Sequence, residues 1–311
     1  MRCLIIDRMH ESLMPMLEEA GIKPDYRPDI KREEILNIAD RYEGMVVRSK
    51  TPLNEELISR AEKLKFIARA GAGLDQIDVE VVRKRNIYLV NAPEGNRDAL
   101  AEHGVGMLLA LFNNLLRADR EVRNKVWDRE GNRGIELMGK TIGLIGCGYM
   151  GQAFAKRLSG FGCKVLGYDK YKKGFSDDFV IEATLDELFR ETDILSLHVP
   201  LTSETKAWIN EEFLSKFKKA IFLLNTSRGE IVPLRALRAA LESGKVKGAA
   251  LDVLENEKLK TLTDRQIQDF EYLVASDQVI FSPHVAGWTH ESYVKINETL
   301  VNKLKSIFFN G

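Results

Sequence analysis

Short apolar runs recur along the chain, each closed by Gly, Asn, Ser or Pro. Between them lie stretches whose apolar positions return every third or fourth residue. In the first third, strand-like runs at Cys3–Ile6, Met45–Arg48, Phe66–Ala70 and Ile87–Val90 alternate with helical patterns. Glu11–Ala20 is stopped by Gly21, and Glu55–Ala61 starts behind an Asn54 cap. Asn96–Asp119 reads as one long helix with Leu100, Met107, Leu108, Leu111, Phe112 and Leu115 on one side. Its place predicts a crossing between domains. Its broad apolar side, with Trp127 beyond it, suits either a subunit-contact arm or internal core. Alternation then returns at Ile142–Ile145, Lys164–Tyr168, Ile194–Val199, Ile221–Leu224, Lys247–Leu251 and Val279–Phe281. Thr184-Leu185-Asp186-Glu187 is a capping box, and Thr289 is placed to cap a last helix running to about Phe308. Strands alternating with helices predict parallel sheets covered on both faces, here two related α/β domains.

Length and charge narrow this picture. A chain of 311 residues with 44% hydrophobic content suits two packed domains. Lys+Arg and Asp+Glu are equal at 46 each, which argues against nucleic-acid binding as the main function. No apolar run reaches membrane-spanning length, so no membrane partner is expected. The opening MRCLIID runs straight into a strand, so no targeting segment is expected. Cys3, Cys147 and Cys163 suggest reduced thiols in a cytoplasm rather than a disulfide framework. No metal site is expected.

Residues 140–169, KTIGLIGCGYMGQAFAKRLSGFGCKVLGYD, carry the strongest chemical signal. A buried strand runs straight into Gly146-Cys147-Gly148-Tyr149-Met150-Gly151 and then into a helix. Gly146 suits the tight turn, Gly148 the approach of a pyrophosphate, and Gly151 close packing of helix on sheet. The helix N-terminus offers N–H groups and a positive dipole end to phosphates. The next strand ends at Asp169, where a carboxylate can bind a ribose 2′-OH and repel a 2′-phosphate, so NAD(H) is expected as cofactor.

Later strand ends supply candidate chemistry. Arg228 lies in NTSRG, where its planar fork can hold a carboxylate and polarise a carbonyl. His284 lies in SPHVAG and Glu257 in LDVLENE; a carboxylate beside an imidazole favours its protonated form. Singly, each has a bland reading as surface charge or structural residue. Together, on a dinucleotide domain, they suit hydride transfer with acid–base help. In the first half, Arg69-Ala70-Gly71-Ala72-Gly73 is either a backbone anion nest or a tight turn alone.

Taken together, AGAGLDQID at 70–78, GCGYMG at 146–151 with Asp169, HVPLTSET at 198–205, NTSRGEIV at 225–232, GAALDVLENE at 248–257 and SPHVAG at 282–287 resemble the D-isomer-specific 2-hydroxyacid dehydrogenase family over essentially the whole chain. The resemblance implies two doubly wound parallel-sheet domains of Rossmann or flavodoxin type. Residues 1–94 and 286–311 would form a discontinuous substrate domain and 95–285 the NAD domain, in a homodimer contacted through the long helix. Arg228, Glu257 and His284 would be catalytic. The cofactor would be held by Gly146, Gly148, Tyr149, Met150, Gly151, Asp169, His198, Val199, Pro200, Thr205, Thr226 and Asp252. Here His198 to Pro200 would wall the adenine, and Asp252 would sit near the nicotinamide carboxamide. A small 2-hydroxy or 2-keto acid would meet Arg48, Ser49, Ala72, Gly73 and Arg228. Arg48, Lys50, Arg69 and Arg97, with Arg133 further along, form a basic set that either reads a phosphate, favouring 3-phosphoglycerate over glyoxylate, hydroxypyruvate or another 2-keto acid, or consists in part of ordinary surface charges and NAD phosphate neighbours. Trp288 reads as hinge packing rather than as a cover over substrate.

Two departures from the family pattern stand out. Lys258 follows Glu257 where Pro is usual, and residues 258–276 form a helix-like insertion that bears on the Glu–His geometry. The chain also stops after the last family helix, so an appended regulatory domain with serine feedback is not expected. Two rival functions remain: an NAD sensor that binds a protein partner, and an S-adenosylmethionine methyltransferase. The intact Arg, Glu and His argue against both.

Overall fold

The computed structural model describes residues 1–309. The chain divides into two compact units, Met1–Arg97 with the segment from Trp288 onward, and Asp98–Gly287. These divisions lie a few residues beyond the expected ones, after residues 94 and 285.

The first unit is built on β1 (Arg2–Ile5), β2 (Lys23–Tyr26), β3 (Gly44–Val47), β4 (Phe66–Arg69) and β5 (Tyr88–Asn91). They form one parallel sheet in the order β2-β1-β3-β4-β5, the flavodoxin-like arrangement. Each face of the sheet buries its own apolar cluster. Cys3, Ile5, Val46 and Phe66 meet Leu300 and Leu304 of helix His290–Phe308, while Leu4, Met45, Val47 and Ile67 meet Leu57, Ile58 and Tyr42. Strands buried on both faces read as unbroken apolar runs, which is why β1, β3 and β4 were legible. β2, KPDY, is a half-exposed edge strand with no such run, and it was missed.

The second unit holds β6 (Thr141–Ile145), β7 (Lys164–Tyr168), β8 (Ile181–Glu182), β9 (Ile194–Leu197), β10 (Ile221–Asn225), β11 (Val246–Leu251) and β12 (Val279–Phe281). Their order, β12-β11-β10-β9-β6-β7-β8, is the doubly wound dinucleotide arrangement, with its reversal between β6 and β9. All pairings are parallel. Both faces are again covered by large apolar clusters. Helix starts follow local chemistry: Asn54, Thr184, Asn210, Thr263 and Thr289 each accept a backbone N–H of the first turn.

The single helix expected over 96–119 is two, Pro93–Phe112 and Leu115–Arg123, bent by 59°. Asn114 adopts a left-handed conformation (φ 51°), and the Phe112 carbonyl accepts a bond from Ile135 N at 2.9 Å instead of continuing the helical ladder. The bend sends Leu115 into solvent, while Leu108, Leu111 and Phe112 stay in the core. Among the described residues, no single helix is long and apolar enough to cross a membrane.

Candidate active site

The glycine loop joins β6 to helix Tyr149–Leu158 at the sheet's reversal point. Gly146 has φ 94°, which other residues rarely adopt, and a Cβ there would strike the His198 carbonyl after β9. A Cβ on Gly151 would strike the Gly146 carbonyl, so the helix packs directly on the loop. Gly148, by contrast, faces open space, and Tyr149 beside it is exposed. Gly148 thus leaves bare backbone open at a helix N-terminus, which suits a pyrophosphate. One buried polar atom at a neighbouring strand end has no partner, Thr226 Oγ1 after β10. Such an orphan suits a bound polar ligand. The residues present therefore fit a dinucleotide.

Asp169 follows β7, but its carboxylate is engaged within the protein. Oδ2 accepts from Cys147 N at 3.0 Å, and Oδ1 from Tyr171 N at 2.9 Å and Lys172 N at 3.0 Å. Partial burial pushes this carboxyl upward, yet the three backbone donors and the Lys172 charge outweigh it and hold it below the usual carboxylate range. Lys172 Nζ reaches the Cys147 carbonyl at 3.2 Å. Asp169 therefore also ties the glycine loop to the β7 end. The His198 ring differs from the wall expected of it. It turns in against Phe154, 5.2 Å between ring centroids, and pairs with Ser196 Oγ at 2.8 Å. Desolvation pushes it down to about 3, so it is neutral. The His198 carbonyl and Val199 are what abut Gly146. Pro200 and Thr205 close the following turn, with Thr205 Oγ1 donating to the Pro200 carbonyl at 2.7 Å.

The proposed acid–base residues come together on three loops of this unit. Asn225, buried at the end of β10, accepts from Ser227 N (3.0 Å) and Ser227 Oγ (2.7 Å) and donates to the Arg228 carbonyl at 3.0 Å. That clamp sets the loop carrying Arg228, whose Nη1 donates to the Ser227 carbonyl at 2.7 Å. Gly229 lets this loop touch the next one, because a Cβ there would overlap the Leu254 backbone. Glu257, on that second loop, accepts from His284 Nδ1 at 2.8 Å. The insertion after Glu257 leaves this pair intact for a local reason. Asn256 accepts from Lys258 N (3.0 Å) and donates to Thr261 Oγ1 (3.2 Å), which folds the exit into a tight turn before helix Asp264–Ala275.

His284 has φ 56°, an unusual conformation for a residue with a side chain. The hydrogen bond it donates to Glu257 raises its pKa above the ordinary imidazole value, against the opposing effects of burial and of the Arg228 charge. Because Nδ1 donates to the carboxylate, Nε2 is left as the proton-exchanging atom. Asp252, after β11, is 1% exposed, and its carboxylate is spent on the His284 loop rather than presented to a ligand. It accepts from Ser282 Oγ (2.6 Å), Val285 N (2.9 Å) and Ala286 N (2.9 Å), while its carbonyl accepts from His284 N at 2.7 Å.

In the first unit the reversal point lies between β1 and β3. Asp7, just past β1, accepts from Arg48 N (2.6 Å) and Lys50 N (3.2 Å), which fixes the turn after β3. The Arg48 guanidinium lies 4.0 Å from the Trp288 ring and 5.0 Å from the Tyr293 ring, and donates to Tyr293 Oη at 3.1 Å. Trp288 is thus a stacking partner for Arg48. Ser49 is exposed beside it. Ala72 and Gly73 are half-buried, with the Ala72 carbonyl accepting from Asn91 Nδ2 at 2.7 Å. The basic set is thinner than the sequence suggested. Lys50 Nζ caps the Pro28 and Ile30 carbonyls at 2.7 and 2.8 Å, and Arg133 pairs with Glu130 at 2.6 Å. The clamps made by Asp7, Asn225 and Asp252, and the stack on Trp288 and Tyr293, all depend on contacts distant in sequence or on side-chain direction.

Comparison with known proteins bears on both units. The family model described as "D-isomer specific 2-hydroxyacid dehydrogenase, NAD binding domain" matches residues 105–286. The chain is 36% identical over 309 residues to D-3-phosphoglycerate dehydrogenase of Methanocaldococcus jannaschii, 98% of this chain and 57% of that protein. It is 35% identical to hydroxypyruvate reductase of Thermotoga maritima, over 96% of this chain and 94% of that one. Among solved structures, D-lactate dehydrogenase from Aquifex aeolicus, complexed with NAD and lactic acid, matches with a TM-score of 0.82 at 30% identity, covering 99% of this chain and 95% of that one. The chain spans little more than half the length of the phosphoglycerate dehydrogenase relatives.

Proposed function

Because the chain belongs to the D-isomer specific 2-hydroxyacid dehydrogenase family, we propose that it moves a hydride between NAD(H) and C2 of a small 2-hydroxy or 2-keto acid. The observation that carries this reading is the 2.8 Å Glu257–His284 pair, on a loop next in line to the one that bears Arg228. When bound, NADH supplies the hydride that C2 receives. As the C2–O π bond breaks, its electron pair moves onto oxygen, and His284 Nε2 gives that oxygen its proton. Arg228 polarises the carbonyl beforehand and offsets the charge that develops on the oxygen. Glu257 keeps His284 in the donating tautomer and favours the imidazolium needed at the start. In the oxidative direction neutral His284 takes the hydroxyl proton. The cradle of Gly146, Gly148 and Gly151, with Tyr149, Met150, Val199, Pro200, Thr205 and Thr226, is assigned to the cofactor. Asp169 is assigned to its adenosine ribose.

For the substrate we assign the Ala72–Gly73 backbone to the carboxylate and Arg48, with Ser49, to the distal end. Arg48 favours a distal phosphate, hence 3-phosphohydroxypyruvate, and the phosphoglycerate dehydrogenase relatives support it. The engagement of Lys50 and Arg133 elsewhere favours a second reading, the unphosphorylated hydroxypyruvate or glyoxylate. Exposed Leu115, Leu116, Trp127 and Met138 support a homodimer formed through this segment. The free cysteines suit a reducing cytoplasm. Loss of NADH absorbance with 3-phosphohydroxypyruvate, hydroxypyruvate, glyoxylate and pyruvate tests the substrate. A much higher kcat/KM for the phosphorylated acid supports the first reading, a higher one for the others the second, and no turnover with any refutes both.

A further inference from the structure

One histidine outside the proposed acid–base group reaches it from helix Pro93–Phe112. His103 Nε2 lies 2.9 Å from Ser282 Oγ and 3.7 Å from Asp252 Oδ1. Ser282 Oγ lies 2.6 Å from the same Asp252 oxygen. Asp252 already accepts two backbone N–H groups, from Val285 on Oδ1 and from Ala286 on Oδ2, so both of its oxygens face donors and act as acceptors. It must then take the single Ser282 hydroxyl proton. That leaves Ser282 Oγ only lone pairs for the imidazole, and His103 must donate from Nε2. The chain of bonds therefore has one direction, from His103 Nε2–H to Ser282 Oγ–H to Asp252.

Asp252 in turn holds the turn around His284. Its carboxylate grips residues 282, 285 and 286, and its carbonyl grips the His284 N–H. A buried carboxylate needs all its donors, because each one lost leaves charge unsolvated in a low dielectric. Without the His103 donor, the Ser282 hydroxyl is no longer oriented and can turn to Met107 Sδ, 3.6 Å away. Asp252 would then lose one of its three donors, and the left-handed His284 would lose part of the frame that holds it.

We propose that His103 is a positioning residue for proton transfer at His284, acting through Ser282 and Asp252. This rests on the reading of His284 as the proton-exchanging group. Small misplacements of a catalytic group cost on the order of tenfold to a hundredfold in rate, so the effect falls on kcat. In His103→Ala, kcat for the 2-keto acid of the panel with the highest kcat/KM should fall at least about tenfold, with its KM and the NADH dissociation constant unchanged. His103→Gln, whose amide N–H can donate to Ser282, should regain most of that loss. Ser282→Ala should reproduce the His103→Ala defect and stands in for it if that variant does not fold. The chain has five histidines, so ¹⁵N NMR of the labelled protein, with no substrate needed, can read the His103 ring directly and should find its proton on Nε2. A proton on Nδ1 alone, full kcat in His103→Ala, no rescue by Gln, or a kcat loss matched by weaker NADH binding would each overturn the proposal. Normal turnover in His284→Ala would instead overturn the reading beneath it.

Discussion

Replacing Glu257 by Gln isolates charge from orientation, because the amide oxygen can still accept from His284 Nδ1. The two groups are 2.8 Å apart, and their side chains are 47% and 48% exposed. At that distance a unit charge pair is worth about 1.5 kcal/mol in the dielectric of water and about 6 kcal/mol at an effective dielectric of 20. Half-exposed groups are screened, so the lower figure applies. About 1.5 kcal/mol of preference for the imidazolium is then lost, roughly a factor of ten in its population wherever His284 is mostly neutral. The sign follows from the raised pKa of His284. Reduction needs the imidazolium, so its rate is sustained below the His284 midpoint and lost as pH rises through it. In Glu257→Gln that loss moves to lower pH. The reductive kcat/KM should therefore fall about tenfold on the alkaline side and converge with the native protein at acid pH. Oxidation needs neutral His284, so its rising limb should move to lower pH by the same amount. Parallel pH profiles of kcat/KM in both directions provide the assay. Profiles of Glu257→Gln that superimpose on the native ones would refute the argument that this carboxylate tunes the imidazole.

Arg228→Lys replaces a planar fork by a point charge, and removing one well-aimed donor to a developing oxyanion costs on the order of a hundredfold to a thousandfold. The reductive kcat/KM should fall in that range while NADH affinity, read by fluorescence titration, stays level; an unchanged kcat/KM would remove Arg228 from its role. Asp169→Ala removes both the acceptor of three backbone N–H groups and the charge that opposes a 2′-phosphate. The kcat/KM ratio of NADH to NADPH should shift toward NADPH, and the Tm should fall because the loop loses its tie. An intact ratio would assign cofactor choice to another group.

What the sequence could reveal follows from how local each cause is. The strand–glycine–helix unit from Thr141 to Leu158 and the caps at Asn54, Thr184 and Thr289 are set by near neighbours, and the pattern displays them. β2 and β8 are edge strands, one half-exposed and one of two residues, with no apolar run to mark them. The break at Asn113-Asn114 was hidden because apolar residues flank it and neither Gly nor Pro marks it; it depends on Ile135 reaching the Phe112 carbonyl. At the site, Arg228, Glu257 and His284 were legible as residue types at strand ends, but the clamps that orient them were not. Asp252 read as a ligand contact, and only its burial among three donors shows a carboxylate spent on the His284 loop. His103 meets Ser282 across 179 residues of sequence, and no local pattern marks such a pair. The engagement of Lys50 and Arg133 within the protein was hidden for the same reason. Charge was visible, but side-chain direction was not.

The most direct test of the central claim is the pre-steady-state reduction of the best 2-keto acid by NADH in the native protein and in His284→Ala, with NADH binding measured alongside. A positioned general acid contributes on the order of a hundredfold to ten-thousandfold. The account predicts that the variant's hydride-transfer rate falls within that range while its NADH dissociation constant stays at the native value. Hydride transfer at the native rate in His284→Ala would contradict it.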